Sequence, residues 1–255
     1  MSNAAQRAYY ESRFVARGGS EQAASTATNA WTRLRRLVQS YDQRLGINDT
    51  LIRLHKEWCG DLTGRRVLDL GCFSGNPLSV WLAENAGEYL GVDLSDSAVA
   101  ELNDKLAHLP HAQAVAGDIL DGDYGTFDVI YARSVLHHFQ DPVILAAAIT
   151  QLLNPGGVLV GMDPMQTEPV NRLARLMYRP VQTDRAWEWP LTRWFFTAFQ
   201  VHFELDRVQG WRGFSKLGRR GWQLDQRLAN RKGLALWLCW NVTYRMSRRR
   251  SPSQQ

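Results

Sequence analysis

Apolar positions between residues 65 and 164 follow two alternating periodicities. Short apolar runs, typical of buried strands, occupy positions 66–70, 88–94, 112–116, 127–131 and 158–162. Segments with helical spacing separate several of them, at positions 77–86, 95–108 and 142–153, and Ser95 is a good N-cap for the second. Strands that alternate with helices in this way predict an α/β fold, a doubly wound parallel sheet with helices on both faces.

The segments on either side of this alternation are predicted to be mainly helical. Before it we expect a short helix at 9–15, a flexible stretch rich in small residues, an amphipathic helix at 31–46 and another at 49–58. After it we expect helices at 170–178 and 190–199, then a strand at 201–208 with an antiparallel partner at 212–217. A final helix at 222–246 and a basic tail complete the prediction.

These elements divide the chain into four predicted parts. Residues 1–64 form an N-terminal helical cover, and residues 65–164 form the core of the fold. Residues 165–221 form an insertion on the substrate side together with an antiparallel edge hairpin. Residues 222–255 form a C-terminal helical extension that is basic and rich in tryptophan.

Composition is that of a globular protein in a reducing compartment. The 255 residues are 45% apolar and 22% charged, which is enough to bury a sizeable core. The three cysteines form no C-x-x-C pair, so a disulfide framework or a zinc site is not expected. The first 20 residues lack the apolar segment of a secretory signal, and no apolar run is long enough to span a bilayer. We therefore expect a cytoplasmic protein without a metal site.

Charge is distributed unevenly along the chain. The net charge is +5, but residues 171–255 carry 17 Lys and Arg against 5 Asp and Glu, together with seven of the ten tryptophans. A segment rich in both arginine and tryptophan is suited to the surface of an anionic membrane. We therefore expect peripheral contact with the inner face of the membrane through the stretch Leu234–Trp240. Nucleic-acid binding through the same cations is less favoured, because no RNA-binding module accompanies them. Simple packing and solubility remain an alternative.

The candidate ligand loop lies in the segment Val-Leu-Asp-Leu-Gly-Cys-Phe-Ser-Gly, residues 67–75, which contains most of the first strand and the turn that follows it. Gly71 and Gly75 permit a tight turn and a close approach of backbone to a ligand, and Asp69 supplies a carboxylate. A nicotinamide-dinucleotide site is the competing hypothesis, but it requires G-x-G-x-x-G, whereas these glycines are spaced G-x-x-x-G.

This loop resembles motif I of the class I S-adenosylmethionine-dependent methyltransferases, and the resemblance continues in register through Asp93, Gly117-Asp118-Ile119, the segment 127–139 and the turn at 153–157. It implies a Rossmann-like methyltransferase sheet that binds S-adenosylmethionine, with Asp93 on the ribose hydroxyls and Asp118 on the adenine amino group. Phe73 replaces the usual middle glycine, and we expect it to have ordinary dihedral angles. The expected cofactor-binding residues are Asp69, Gly71, Cys72, Phe73, Gly75, Asp93, Leu94, Gly117, Asp118, Ile119 and Arg133.

The candidate catalytic residues follow the fourth and fifth strands. His137 and His138 come just after the fourth strand, and Asp163 ends the fifth. Histidine titrates near neutrality, so either could remove the proton of an acceptor hydroxyl. The resemblance here is to small-molecule and sugar O-methyltransferases that use a His and Asp pair. It implies methyl transfer to a hydroxyl of a small molecule, such as a sugar or natural-product intermediate, and the basic, tryptophan-rich end adds a lipid-linked acceptor. N- or C-methylation and a catalytically silent cofactor-binding partner are alternatives, and RNA methylation is a more remote one.

Overall fold

The computed structural model describes residues 3–18, 37, 40–179 and 185–249 of the chain. These residues form one seven-stranded sheet in the order β3-β2-β1-β4-β5-β7-β6. The strands are β1 Arg66–Leu70, β2 Glu88–Asp93, β3 Ala112–Ala116, β4 Phe127–Arg133, β5 Leu153–Pro164, β6 Phe203–Trp211 and β7 Asn241–Arg248. Strands β1 to β5 are mutually parallel, while β7 lies antiparallel between β5 and β6.

The described α-helices cover both faces and the open edges of this sheet. They are α1 Asn3–Gly18, α2 Ile47–Cys59, α3 Ser79–Asn85, α4 Asp96–Leu106, α5 Pro142–Leu152, α6 Pro169–Tyr178, α7 Arg193–Phe199, α8 Arg219–Leu228 and α9 Lys232–Leu238. Short 3-10 turns occur at Leu136–His138, Arg185–Trp187 and Ser215–Leu217. The predicted α/β class, with parallel strands and an antiparallel edge, is confirmed.

The helices that flank the ligand-binding edge begin at side chains suited to capping. The Ser95 hydroxyl accepts a hydrogen bond from the Ala98 amide at the start of α4. The Asp141 carboxylate accepts from the amides of Val143 and Ile144, and Pro142 occupies the first turn of α5. Each cap satisfies amide groups that the helix leaves unpaired, so these boundaries follow directly from local sequence.

The predicted edge hairpin and final helix are wrong in their details. The segment 212–217 forms no strand. The antiparallel partner of β6 is instead β7, which occupies residues that were predicted to belong to the final helix at 222–246. Val242, Tyr244 and Met246 share one face of the strand and are buried. On the other face Thr243 is buried, whereas Arg245 and Ser247 are less so. The β-branched and aromatic side chains of Val242, Thr243 and Tyr244 favour that conformation. The helical part of the prediction ends at Leu238.

At the N-terminus, α1 includes the predicted helix at 9–15. The predicted flexible stretch and most of the predicted helix at 31–46 lie outside the described residues, but residues 40–45 are helical. The last residues of the basic tail also lie outside the described part. Within the described residues no helix is long and apolar enough to cross a membrane.

The sheet is packed on both faces by large buried side chains. On one face Tyr89 and Tyr131 lie among residues of α2, α3 and α4, and on the other Tyr244 packs against Phe195 and Phe196 of α7. The chain runs outward from β1 to β3 and then returns to place β4 on the other side of β1. This reversal opens a crevice at the carboxyl ends of β1 and β4, where doubly wound folds bind ligands.

Candidate active site

A cavity of about 720 Å³ occupies this crevice. Its wall contains ten of the eleven residues that the sequence predicted for cofactor binding, and also His138. The ten are Gly71, Cys72, Phe73, Gly75, Asp93, Leu94, Gly117, Asp118, Ile119 and Arg133. Asp69, His137 and Asp163, which were also predicted to act in the site, are not part of the wall.

The loop after β1 needs glycine at Gly71 for two reasons. Its φ angle of 69° lies in the left-handed region, and a Cβ atom there would lie 2.6 Å from Cγ2 of Val135. The loop is fastened to β2 by a 2.8 Å hydrogen bond from the Gly71 amide to the Val92 carbonyl. This close approach of two loops forms the floor of the cavity.

Phe73 does not have the ordinary dihedral angles that we predicted for it. Its φ angle is 49°, in the left-handed region that a residue with a Cβ atom adopts at a cost. Its amide donates a 3.0 Å hydrogen bond to Oδ2 of Asp93, and the neighbouring strand end thereby holds the loop in place. The prediction failed because it considered steric cost alone and not this compensating hydrogen bond.

Asp69 lies beneath the loop rather than in the cavity wall. Its carboxylate is fully buried and accepts hydrogen bonds from Ser79 (2.5 Å), Tyr89 (2.9 Å) and the side-chain amide of Asn76 (2.9 Å). Burial raises its pKa to about 6, against the opposing effect of these donors. Asp69 thus ties the loop and the start of α3 to β2, which is a structural contact.

Two carboxylates line the cavity: Asp93 is the last residue of β2, and Asp118 lies in the loop that follows β3. Asp93 accepts from the amides of Phe73 and Ser95, both at 3.0 Å, and burial raises its pKa. A carboxylate has about four acceptor positions, so Asp93 can accept further hydrogen bonds from a ligand in the cavity. Oδ2 of Asp118 is buried and has no hydrogen-bond partner within the described part of the chain. Such an atom is an acceptor that a ligand donor would satisfy.

His138 lies in the cavity wall, at the 3-10 turn that follows β4. Its Nδ1 lies 2.6 Å from the carbonyl oxygen of Trp187, which can only accept. In the neutral imidazole the proton is therefore on Nδ1, and Nε2 is the acceptor. The hydroxyl of Tyr10, a residue of α1 that also lines the cavity, lies 3.2 Å from Nε2 and 3.3 Å from Nδ1.

His137 points the other way, into the protein. It is 5% exposed, and its Nδ1 lies 2.7 Å from Oδ1 of Asp163. The second oxygen of Asp163 accepts a 2.8 Å hydrogen bond from the hydroxyl of Tyr244 on β7. The predicted His and Asp pair thus forms, but it links β4, β5 and β7 inside the sheet and does not reach the cavity.

Three wall residues come from the segments predicted to cover the substrate side, although none of the three was among the predicted site residues. Tyr10 lies on α1, and Trp187 and Trp189 lie on the segment between α6 and α7. The Trp189 amide donates a 2.7 Å hydrogen bond to the carbonyl of His137, so this segment is attached to the histidine turn at two points. The cluster of aromatic residues was visible in the sequence, but no local pattern indicates which of them faces a cavity.

This architecture defines a Rossmann-like α/β protein with a nucleotide-type ligand crevice at the switch point of its sheet. Residues 68–159 match the methyltransferase domain family. A ubiquinone biosynthesis O-methyltransferase of Methylococcus capsulatus is 32% identical over 102 residues, which is 38% of this chain and 43% of the relative. The chain therefore matches less than half the length of that relative.

Solved structures with low sequence identity share the fold. Magnesium protoporphyrin IX methyltransferase from Synechocystis, with bound S-adenosylhomocysteine, superposes with a TM-score of 0.63 at 18% identity, covering 97% of this chain and 100% of the other. The N-methyltransferase NodS from Bradyrhizobium japonicum superposes with a TM-score of 0.53 at 15% identity, covering 78% and 87%. Residues 68–159 thus match a methyltransferase domain, and the chain shares the fold of solved S-adenosylmethionine-dependent methyltransferases, as the sequence resemblance indicated.

The residues present fit S-adenosylmethionine. The cavity exceeds the volume of a nucleoside, and its wall contains a carboxylate with spare acceptor positions and a second with an unsatisfied oxygen. Gly71 removes the side chain that would block the floor. Among the described residues no group of three or more His, Cys, Asp or Glu side chains is arranged to hold a metal ion.

Proposed function

We propose that this protein transfers the methyl group of S-adenosylmethionine to a hydroxyl group of a small, largely apolar acceptor, with His138 as the general base. The observation that carries the proposal is the position of His138 in the cavity wall, with its Nδ1 hydrogen-bonded to the Trp187 carbonyl. The O-methyltransferase named among the relatives supports transfer to oxygen. Apolar natural-product intermediates are the acceptors we consider first, ahead of the sugars that the sequence also suggested.

In this proposal the carboxylates orient the cofactor. Asp93 accepts hydrogen bonds from the ribose hydroxyls, and the unsatisfied oxygen of Asp118 accepts one from the adenine amino group. Gly71, Gly75 and Phe73 shape the loop against which the rest of the cofactor lies. When bound, the cofactor supplies a methyl carbon already made electrophilic by its sulfonium, so the protein needs mainly to align the acceptor and exclude water.

His138 then accepts the proton of the acceptor hydroxyl at Nε2. The bound cofactor would supply its methyl group to the acceptor oxygen, with cleavage of the methyl–sulfur bond, and would be left as neutral S-adenosylhomocysteine. The Trp187 carbonyl holds the Nδ1 proton throughout and stabilises the imidazolium that forms. A positioned base of this kind accelerates transfer to a hydroxyl by about 10²–10⁴-fold.

His137 and Asp163 act as positioning residues in this account. Their hydrogen bond, extended to Tyr244, fixes the turn that carries His138. Because neither reaches the cavity, we assign them no proton transfer. The Cys72 thiol, whose pKa burial raises far above its ordinary value, contributes volume rather than chemistry.

The acceptor is expected to be apolar because the wall around His138 is apolar. Val135, Phe139, Leu145, Trp187 and Trp189 line the same cavity as His138, and Tyr10 supplies a hydroxyl there. Flat aromatic side chains favour an aromatic or isoprenoid-like acceptor over an unsubstituted sugar.

Peripheral contact with an anionic membrane at its inner face is the second part of the proposal. Helix α6 exposes Leu173 (58%), Leu176 (64%) and Met177 (75%), and Arg172 and Arg179 on the same segment are exposed as well. Apolar side chains flanked by arginines are suited to the headgroup region of anionic bilayers. Trp237 is half exposed on α9, so the predicted stretch Leu234–Trp240 contributes less, with Ala235 and Cys239 buried.

Methylation of nitrogen is the alternative, since the fold is shared with an N-methyltransferase. To separate the two, the protein is incubated with isotope-labelled S-adenosylmethionine and paired probes, a phenol and the aniline of the same carbon skeleton. Label on the phenol oxygen supports the proposal. Binding of S-adenosylhomocysteine with label on the aniline alone would favour the alternative, and binding with no label on either would favour a catalytically silent partner.

A further inference from the structure

A second cavity, of about 500 Å³, adjoins the cofactor cavity. The two share Pro77 and Arg133 in their walls, so Arg133, at the end of β4, forms part of the partition between them. Apolar residues of α2 line one part of the second cavity, and Met162 and Trp211 line another. Its polar wall residues are Asp42, Gln43, Asn48, Arg133, Arg212 and Asn241.

The charges of this cavity do not balance. Arg212 forms an ion pair with the buried carboxylate of Asp42, so these two compensate each other. Arg133 forms no ion pair within the described part of the chain, and its Nη1 is fully buried without a hydrogen-bond partner there. A guanidinium is always charged near neutral pH, and a buried donor on it that lacks an acceptor is costly.

The charge of Arg133 acts on His55 and Tyr131, neither of which carries a compensating negative charge. Burial, followed by the charge of Arg133, lowers the pKa of His55 to about 3, so that histidine is neutral. The cavity thus combines one uncompensated cation with a partly apolar wall and a volume suited to a small molecule.

We propose that the second cavity binds the carboxylate end of a small organic molecule through Arg133, and that this molecule is the methyl acceptor. The inference rests on the proposed function, because the acceptor would reach from its reacting hydroxyl beside His138, in the cofactor cavity, to its carboxylate in the second cavity. A guanidinium presents two parallel N–H donors to a carboxylate, which would satisfy the buried Nη1 and fix the orientation of the acceptor. Arg133 was predicted from the sequence to contact the cofactor, but its position in the walls of both cavities favours the acceptor instead.

The cofactor also carries a carboxylate, so the experiment must distinguish the two sources. Affinity for S-adenosylhomocysteine is measured first by calorimetry, which tests the cofactor site alone. Protein saturated with S-adenosylhomocysteine is then titrated with benzoate and with benzamide, which has nearly the same shape but no charge. We expect benzoate to bind at millimolar concentration and benzamide at least about tenfold more weakly.

Three variants complete the test. Arg133→Gln should weaken benzoate by about tenfold or more and change affinity for S-adenosylhomocysteine by less than about threefold. Asn48→Trp, at an exposed wall position, should obstruct benzoate while leaving Arg133 in place. Arg207→Gln removes an exposed arginine that pairs with Glu57 and should change neither affinity.

The outcomes are distinct. Equal binding of the two probes, or no binding of benzoate to the saturated protein, would overturn the inference while leaving the cofactor site intact. A tenfold loss of S-adenosylhomocysteine affinity in Arg133→Gln would assign the guanidinium to the cofactor carboxylate. Unchanged benzoate binding in Asn48→Trp would exclude the second cavity. Failure of the wild-type protein to bind S-adenosylhomocysteine would contradict the proposed function itself.

Discussion

Nδ1 of His138 lies 2.6 Å from the carbonyl oxygen of Trp187, 49 positions further along the chain. A backbone carbonyl has no proton to give, so this contact determines which imidazole nitrogen carries the proton and which can accept one. The segment that covers the cavity therefore also selects the tautomer of the histidine beneath it. Tyr9 packs against the Trp187 ring, with centroids 4.9 Å apart, so α1 supports the same segment.

Replacing Asp93 tests the cofactor site. Asp93→Ala removes the acceptor proposed for the ribose hydroxyls, and hydrogen bonds to a charged group contribute roughly 1.5–3 kcal/mol each. We expect calorimetry to show a loss of at least about tenfold in S-adenosylhomocysteine affinity, and a smaller loss for Asp93→Asn. Asp104→Ala, at an exposed carboxylate on α4, is the matched control. Unchanged affinity in Asp93→Ala would contradict the assignment of the cofactor.

Glycine at position 71 is predicted to be essential because of space as well as conformation. Gly71→Ala would place a Cβ atom 2.6 Å from the side chain of Val135, whereas Gly156, at a φ angle of 79°, has open space around it. Both variants incur the left-handed penalty of about 1–2 kcal/mol in unfolding free energy. Only Gly71→Ala should also lose affinity for S-adenosylhomocysteine. Equal effects of the two variants on affinity would show that the close approach is unimportant.

His55 is predicted to make the protein sensitive to acid. It is buried between the Tyr131 hydroxyl (2.8 Å) and Thr243 (3.1 Å), and burial, followed by the charge of Arg133, lowers its pKa to about 3. Below about pH 6.5 the unfolded chain binds a proton at His55 that the folded chain excludes, so stability falls as pH decreases.

The comparison with His55→Gln isolates this effect, because glutamine can also donate and accept. Between pH 7 and pH 5 the unfolding free energy of the wild type should fall by about 2 kcal/mol more than that of the variant, in urea titrations. Parallel pH dependence in the two proteins would mean that His55 is not held neutral in the folded state.

Membrane contact is predicted to depend on α6. The double variant Leu176→Glu, Met177→Glu places two charges on its exposed apolar surface and should abolish co-sedimentation with anionic vesicles at low salt. Leu217→Glu changes a side chain that is equally exposed, at 76%, on another part of the molecule and should have little effect. Loss of co-sedimentation in both variants, or in neither, would argue against a specific role for α6.

The parts of the fold that sequence predicts best are those set by local patterns. The bounds of β1 and β3, and the Ser95 cap of α4, depend on apolar runs and on one capping side chain. The position of β7 does not depend on such local features, because pairing with β5 and β6 on its two sides determines that this segment is a strand. The alternation of Val242, Tyr244 and Met246 was present in the sequence but adjoins a helical segment that obscured it.

The candidate site shows the same division. Strand order brings Gly71, Asp93 and Asp118 to one edge of the sheet, and the cofactor loop was therefore predictable from motif positions. The directions of His137 and His138 were not, since adjacent residues of a turn point to different sides. Only the long-range contacts with Asp163 and Trp187 distinguish them. The left-handed φ angle of Phe73 similarly depends on Asp93, twenty residues away.

The role of His138 is the central claim, and a comparison of kcat between the wild type and His138→Gln tests it most directly. With a phenolic acceptor and saturating S-adenosylmethionine, we predict a loss of about 10²–10⁴-fold in kcat, with S-adenosylhomocysteine affinity nearly unchanged. His108→Gln, at an exposed position, should keep the wild-type kcat. A His138→Gln enzyme with wild-type kcat would contradict the account.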